Sequence, residues 1–79
     1  MNKNYNNGAR RERRIMKKLE KEGWFCIRSA GSHSPIDIIA IKSGQFRFIQ
    51  SKKTGYLTPQ ERKEKEELEQ KLGINIEVM

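Results

Sequence analysis

Apolar positions along the chain change period several times, and each change marks an element. Ala9, Ile15, Met16 and Leu19 recur at helical spacing, while Arg10, Arg11, Arg13, Arg14, Lys17, Lys18 and Lys21 fill much of the remaining surface. This pattern predicts an amphipathic helix over 9–22, stopped by Gly23. Residues 1–8 are polar and Asn-rich with a turn signal at Asn7-Gly8, and are expected to form a mobile segment ahead of a single domain spanning 9–79. Trp24 to Arg28 reads as a short strand, Ser29 to Pro35 as a small-residue loop, Ile36 to Lys42 as a β-branched strand, and Gln45 to Lys52 as a third strand. Thr58-Pro59-Gln60-Glu61 is a strong helix start, with a capping threonine, a proline at the first helical position and a capping-box acid. That helix should run to Leu72 and stop at Gly73, and the alternation of Ile74, Ile76 and Val78 predicts a last strand. The order α-β-β-β-α-β places the chain in the α/β class.

The central hairpin can be read to the level of register. A two-residue turn at Ser43-Gly44 pairs Lys42 with Gln45, Ile41 with Phe46 and Ile39 with Phe48. Extended further, it sets Asp37 opposite Gln50 and Pro35 opposite Lys52. Alternation then gathers Asp37, Ile39 and Ile41 with Phe46, Phe48, Gln50 and Lys52 on one face, and Ile36, Ile38 and Ala40 with Arg47, Ile49 and Ser51 on the other. Both faces are partly apolar, which suits a hairpin covered by helices.

Composition sharpens this picture. The 79 residues hold 34% hydrophobic side chains, carry a formal charge of +7 and have room for one domain only. No apolar run approaches the roughly 18 residues of a membrane span, and the polar, basic start is unlike a secretory signal. The lone Cys26 excludes a disulfide framework within the chain, so a reducing cytoplasm is expected (that of a host cell if the protein is virus-encoded). The charge is uneven: residues 1–53 hold 13 Lys/Arg against 4 Asp/Glu, while residues 54–79 hold 4 against 6. The basic half points to a polyanion, and nucleic acid is the partner it suits best. The thin apolar side of the second helix, with Leu57, Leu68 and Leu72, leaves strand surface to be covered, which suits a homodimer.

Two features carry candidate chemistry. Glu12, the one acid among the first 19 residues, falls near the apolar stripe of a basic helix. At the open end of the hairpin, Asp37, Gln50 and Lys52 bring a carboxylate, an amide and an ammonium to one face, with opposed Cβ atoms about 4.5–5.5 Å apart. A divalent cation such as Mg²⁺ takes oxygen ligands of this kind, and beside a phosphate it would neutralise charge and acidify a bound water. The simpler alternative is a strand-end ion pair between Asp37 and Lys52. His33 suits a solvated loop position, Cys26 a packed strand position, and Trp24 core or interface.

Beyond these letters, the order and spacing of Gly8-Ala9-Arg10-Arg11-Glu12-Arg13, Leu19-Glu20-Lys21-Glu22-Gly23-Trp24, Arg28-Ser29-Ala30-Gly31-Ser32, Pro35-Ile36-Asp37 and Gln50-Ser51-Lys52 resemble the PD-(D/E)XK nuclease superfamily. Within it they resemble the archaeal and viral Holliday junction resolvases, over residues 8–54. Leu57-Thr58-Pro59-Gln60 also looks like the stretch after the active site in small virus-type (VRR) nucleases. The resemblance implies a small restriction-endonuclease-like core with a mixed sheet flanked by helices, a homodimer, DNA as substrate and dependence on Mg²⁺ or Mn²⁺. It casts Glu12 as a helix-borne acid at the metal site, Asp37 as the main metal ligand, Ser51 as the donor of a backbone carbonyl and Lys52 as the motif lysine. Ser29 or Ser32 would help orient the scissile phosphate. Gln50 stands where most relatives carry Glu, a QxK variant also found in some restriction-type branches, and fuller resolvases continue past the second helix.

The expected activity is therefore endonucleolytic cleavage of branched DNA, with Arg10, Arg11, Arg13, Arg14 and Lys17 holding phosphates and Lys53 and Tyr56 as further DNA contacts. No membrane and no small-molecule cofactor is expected. Duplex, flap or nicked DNA as the target, or a catalytically weak or inactive DNA-binding relative that Gln50 would mark, are the alternatives.

Overall fold

The computed structural model describes residues 3–29 and 34–79, the first six of these as backbone only. Helix α1 (Lys3–Lys21) is followed by strands β1 (Phe25–Arg28), β2 (Ile38–Lys42) and β3 (Gln45–Gln50), helix α2 (Pro59–Leu72) and strand β4 (Ile76–Val78). The strands form one mixed sheet in the order β1-β2-β3-β4, antiparallel except for the β3–β4 pair.

α1 begins six residues before the expected start, so Asn7-Gly8 lies inside the helix and the helix runs through the boundary expected at residue 8. Ala9, Ile15 and Leu19 are buried. With those turns anchored, each further N-terminal residue adds a helical hydrogen bond without a new nucleation cost. At the other end, Gly23 adopts φ 96°, and Gly23 N–H and Trp24 N–H close on the carbonyls of Glu20 and Leu19. This Schellman arrangement turns the chain into β1. Lys42 Nζ donates to the Glu22 carbonyl at 2.6 Å, tying the helix end to the far end of β2.

The hairpin register is the expected one from Lys42↔Gln45 to Ile38↔Ile49. Ser43 and Gly44 both take positive φ, as a type I′ turn requires. Ile38, Ala40 and Ile49 on one sheet face pack with Ile15 and Leu19 of α1, with Met16, Trp24, Cys26 and Met79 around them. On that face Arg47 donates twice to Glu77, at 2.8 and 2.6 Å, binding β3 to β4, and its guanidinium lies 5.1 Å from the centre of the Trp24 ring.

The second face departs from expectation. Helices do not cover it: Phe25, Ile27 and Phe46 are 58%, 47% and 58% exposed. α2 is the reason. Its capping box forms and Gly73 closes it at φ 68°, but none of its residues is buried, because its apolar side amounts to little more than Leu68 and Leu72. Its firmest tie to the sheet is polar, from Ile76 N–H to the Glu69 carboxylate at 2.7 Å.

Because Ile38 is wholly enclosed between α1 and the sheet, Ile38→Ala is expected to lower the unfolding free energy by about 2–5 kcal/mol. Urea denaturation followed by circular dichroism checks this.

Candidate active site

The hairpin ladder ends at Ile38↔Ile49, and the candidate site begins where it ends. Asp37 was expected opposite Gln50 and Pro35 opposite Lys52, but the ladder does not extend that far. Instead Asp37 N–H donates to the Ile49 carbonyl at 2.8 Å, and the Asp37 carbonyl accepts from Ser29 N–H at 2.8 Å. The Asp37 side chain replaces the missing backbone partner: its Oδ2 accepts from Ser51 N–H at 2.8 Å. Asp37 is thus held by one bond to β3, one to the residue that follows β3 and one to the residue that follows β1. Burial is the main influence on it and raises its pKa above the ordinary carboxylate value. Glu12 adds to the rise, while the Ser51 N–H, Arg11 and Lys52 oppose it.

Gln50 closes β3. Its backbone carbonyl accepts from Met79 N–H at 2.9 Å, and the next bond of the same ladder, Lys52 N–H to the Met79 carbonyl, measures 2.8 Å. Among the described residues, the buried amide oxygen of Gln50 and the buried hydroxyl of Ser51 have no hydrogen-bond partner. An unsatisfied buried acceptor is costly and calls for an explanation such as an ion.

Two ion pairs flank this centre. Glu12 Oε1 receives Arg28 Nε at 2.6 Å, with both side chains about one-fifth exposed. The helix acid is therefore turned toward the sheet end, close enough to Asp37 to act on its charge. Lys52 Nζ pairs with Glu61 Oε2 at 2.5 Å, not with Asp37 as the strand-end alternative supposed. Glu61 Oε1 accepts from Thr58 N–H at 2.9 Å, so one carboxylate both caps α2 and holds the lysine. These contacts pull the Glu61 pKa down to about 2, Lys52 being the largest cause.

Arg28 and Glu61 were not among the expected site residues. Arg28 carried a usable signal. It shares a strand face with Cys26, toward the core, and a cation there needs an acid. Glu12 is the acid near the facing helix stripe. Glu61 carried a weaker one, since a capping-box acid spends one oxygen on the cap and keeps the other.

Of the residues expected to contact DNA, Arg10, Arg13, Arg14 and Lys17 are exposed along α1, whereas Arg11 is half-buried and acts on Asp37. Lys53 is exposed and Tyr56 is 78% exposed on the loop after β3. Ser29 is fixed through its backbone to Asp37. Ser32 and His33 lie outside the described residues.

Among the described residues no group of three His, Cys, Asp or Glu gathers to hold a metal. The donors present nevertheless suit a hard divalent cation. Asp37 offers a carboxylate bonded to Ser51 N–H, and Gln50, the residue before Ser51, offers the neutral oxygen Oε1, buried without a hydrogen-bond partner among the described residues.

The model of the archaeal Holliday junction resolvase (Hjc) family matches residues 3–71 of this chain. No solved structure matches it. The matched span includes Glu12, Asp37, Gln50, Lys52 and Glu61.

The raised Asp37 pKa has a consequence for stability. Relative to the unfolded chain, folding disfavours the ionised carboxylate, so the metal-free protein gains stability as pH falls through the ordinary carboxylate range toward protonated Asp37. Asp37→Asn keeps an acceptor for Ser51 N–H and removes the charge. Its urea midpoint at pH 7 is expected to equal or exceed that of the wild type, with this part of the pH dependence gone.

Proposed function

Since the chain belongs to the archaeal Holliday junction resolvase family, we propose that it is a metal-dependent endonuclease that cuts branched DNA inside the cell. Family membership makes it a nuclease of the resolvase type. The observation that supports this chemistry most directly is the half-buried Asp37 carboxylate bonded to Ser51 N–H, with the partnerless Oε1 of Gln50 one residue before Ser51 and with Glu12 and Lys52 near enough to act on the Asp37 charge.

In this reading Asp37, Gln50, the Ser51 carbonyl and Glu12 hold Mg²⁺ or Mn²⁺. Such an ion neutralises charge on a phosphodiester and acidifies water. The chain's own contributions are positional. Asp37 is fixed by three hydrogen bonds, Glu12 is aimed by Arg28, and Lys52 presents an ammonium to a phosphoryl oxygen. Ser29, and Ser32 in the loop beyond it, orient the scissile phosphate. Arg10, Arg11, Arg13, Arg14 and Lys17, with Lys53 and Tyr56, bind the DNA backbone, which positions the duplex arms without reading their sequence.

The open sheet face supplies the dimer. Phe25, Ile41 and Phe46 form one cross-strand row and Ile27, Ile39 and Phe48 the next. A contiguous apolar face of this kind marks an interaction site. The basic surface of α1 lies on the opposite side of the sheet, so a two-fold pairing through the apolar rows leaves both copies free to hold DNA. Two symmetric sites would then nick two strands at related positions.

One observation favours a second reading. Gln50 leaves the centre one negative charge short of a carboxylate pair, which suits a relative that binds DNA and does not cut it. Cleavage of a labelled four-way junction, beside a flap and a linear duplex, separates these possibilities. With Mg²⁺ or Mn²⁺ the wild type is expected to nick the junction in pairs, and chelator or Asp37→Ala is expected to abolish the nicks. Equal cutting of the duplex would move the target to ordinary DNA. Binding without cleavage under either metal would establish the second reading.

The dimer is checked separately. Light scattering at micromolar concentration should give twice the 9.3 kDa chain mass, and Phe46→Asp, which alters an exposed side chain, should reduce it to the single-chain value while the circular dichroism spectrum is kept.

A further inference from the structure

Lys52 has a fixed backbone and a choice of partners for its side chain. Its N–H is locked to the Met79 carbonyl at 2.8 Å. Its ammonium reaches across the loop to Glu61 Oε2 at 2.5 Å, while the buried amide oxygen of Gln50 has no hydrogen-bond partner among the described residues. Glu61 is itself held at several points. Oε1 accepts from Thr58 N–H at 2.9 Å, and Glu61 N–H donates to Thr58 Oγ1 at 3.2 Å. Its carboxylate is therefore set by the first turn of α2 rather than free to sample the surface.

The capping requirement does not explain an acid at this position. Gln serves the third position of a capping box as well as Glu. The charge serves the N-terminal dipole of α2 and the Lys52 ammonium. Strand β3 offers Lys52 no carboxylate, since position 50 is an amide, and the one Asp37 oxygen with a partner is engaged by Ser51 N–H. We propose that Glu61 is a positioning residue for the nuclease reaction: from the N-terminus of α2 it supplies the carboxylate that orients the Lys52 ammonium where β3 provides only neutral Gln50. The inference rests on the nuclease reading above and adds to it a role for α2, a helix with no buried residue.

The test uses the intact chain on a four-way junction with Mn²⁺, with stability and titration measured beside cleavage. Glu61→Gln keeps the hydrogen bonds of the cap and loses the charge, so the urea midpoint at pH 7 should fall, while kcat falls roughly 10- to 100-fold, the penalty of a misplaced catalytic group, and KM for the junction stays the same. Thr58→Ala should lower the midpoint as well, but with a much smaller loss of rate. Gln50→Glu, which returns a carboxylate to β3, should raise the rate by a larger factor in the Glu61→Gln background than in the wild type. A merely structural Glu61 would give the same factor in both backgrounds. Equal kcat in wild type and Glu61→Gln overturns the positioning role while leaving the nuclease reading intact. NMR titration of the Glu61 carboxyl reads the pair without any reaction. Its midpoint should lie at about 2 and rise in Lys52→Met. An ordinary midpoint in the wild type overturns the inference whether or not the protein cuts DNA. Absence of metal-dependent cleavage by the wild type overturns the nuclease reading and the positioning role with it, even where the titration shows the pair.

Discussion

The hydrogen bond from Ser51 N–H to the Asp37 carboxylate decides where the sheet stops and the site starts. Up to Ile38↔Ile49 the β2–β3 hairpin satisfies its backbone groups by ordinary pairing. One residue further, Asp37 N–H still reaches the Ile49 carbonyl, but the Ser51 N–H takes a side-chain oxygen instead of a backbone one. This exchange draws a carboxylate into the sheet end, where burial works against its charge. Everything else at that end can be understood as accommodation of that charge: Arg11 and Lys52 near enough to oppose the burial penalty, and an amide rather than an acid at position 50.

The flanking groups come from elements distant in sequence, and each is held by a partner on yet another element. Glu12 of α1 is aimed by Arg28 of β1, and Lys52 after β3 by Glu61 of α2. A catalytic constellation needs supporting contacts of this kind, because long side chains left to themselves lose geometry to rotamer entropy. The fold achieves it with a thin core. One face of the sheet is closed by α1 through five buried side chains. The other leaves its apolar rows partly exposed, and α2 is attached largely by polar contacts.

Much of this was legible in the residues. The two-residue turn at Ser43-Gly44 and the β-branched run before it were enough to place every hairpin pair from Lys42 to Ile38, because a one-residue slip would have exposed Ile38 and Ala40. Thr58-Pro59-Gln60-Glu61 announced α2 and its cap. What failed depended on contacts between segments far apart in the chain. Extending the register to Asp37 assumed that backbone pairing continues, whereas a short acidic side chain can substitute for a carbonyl as acceptor. The partner of Lys52 was hidden for a similar reason: the strand-end alternative pairs it with Asp37 across the hairpin, but the acid that binds the ammonium arrives from a helix across a loop. The start of α1 at Lys3 shows local turn chemistry at Asn7-Gly8 yielding to a helix anchored elsewhere.

Gln50 takes on a different meaning in this light. Asp37 is already pushed toward protonation by burial, with Glu12 adding to the push. A third carboxylate at position 50, buried as the Gln50 oxygen is, would raise that repulsion further in the absence of a cation. An amide removes a like charge and keeps an oxygen available, at the cost of weaker attraction for a divalent ion. An amide at position 50 also leaves Lys52 without a counter-ion on its own strand, and the Glu61 carboxylate supplies one from α2. Charge removed from the buried centre is thus restored at its exposed edge, where solvent lowers the cost of holding it. The neutral residue and the capping acid are on this argument two halves of one electrostatic arrangement, split between a strand and a helix that otherwise have little contact.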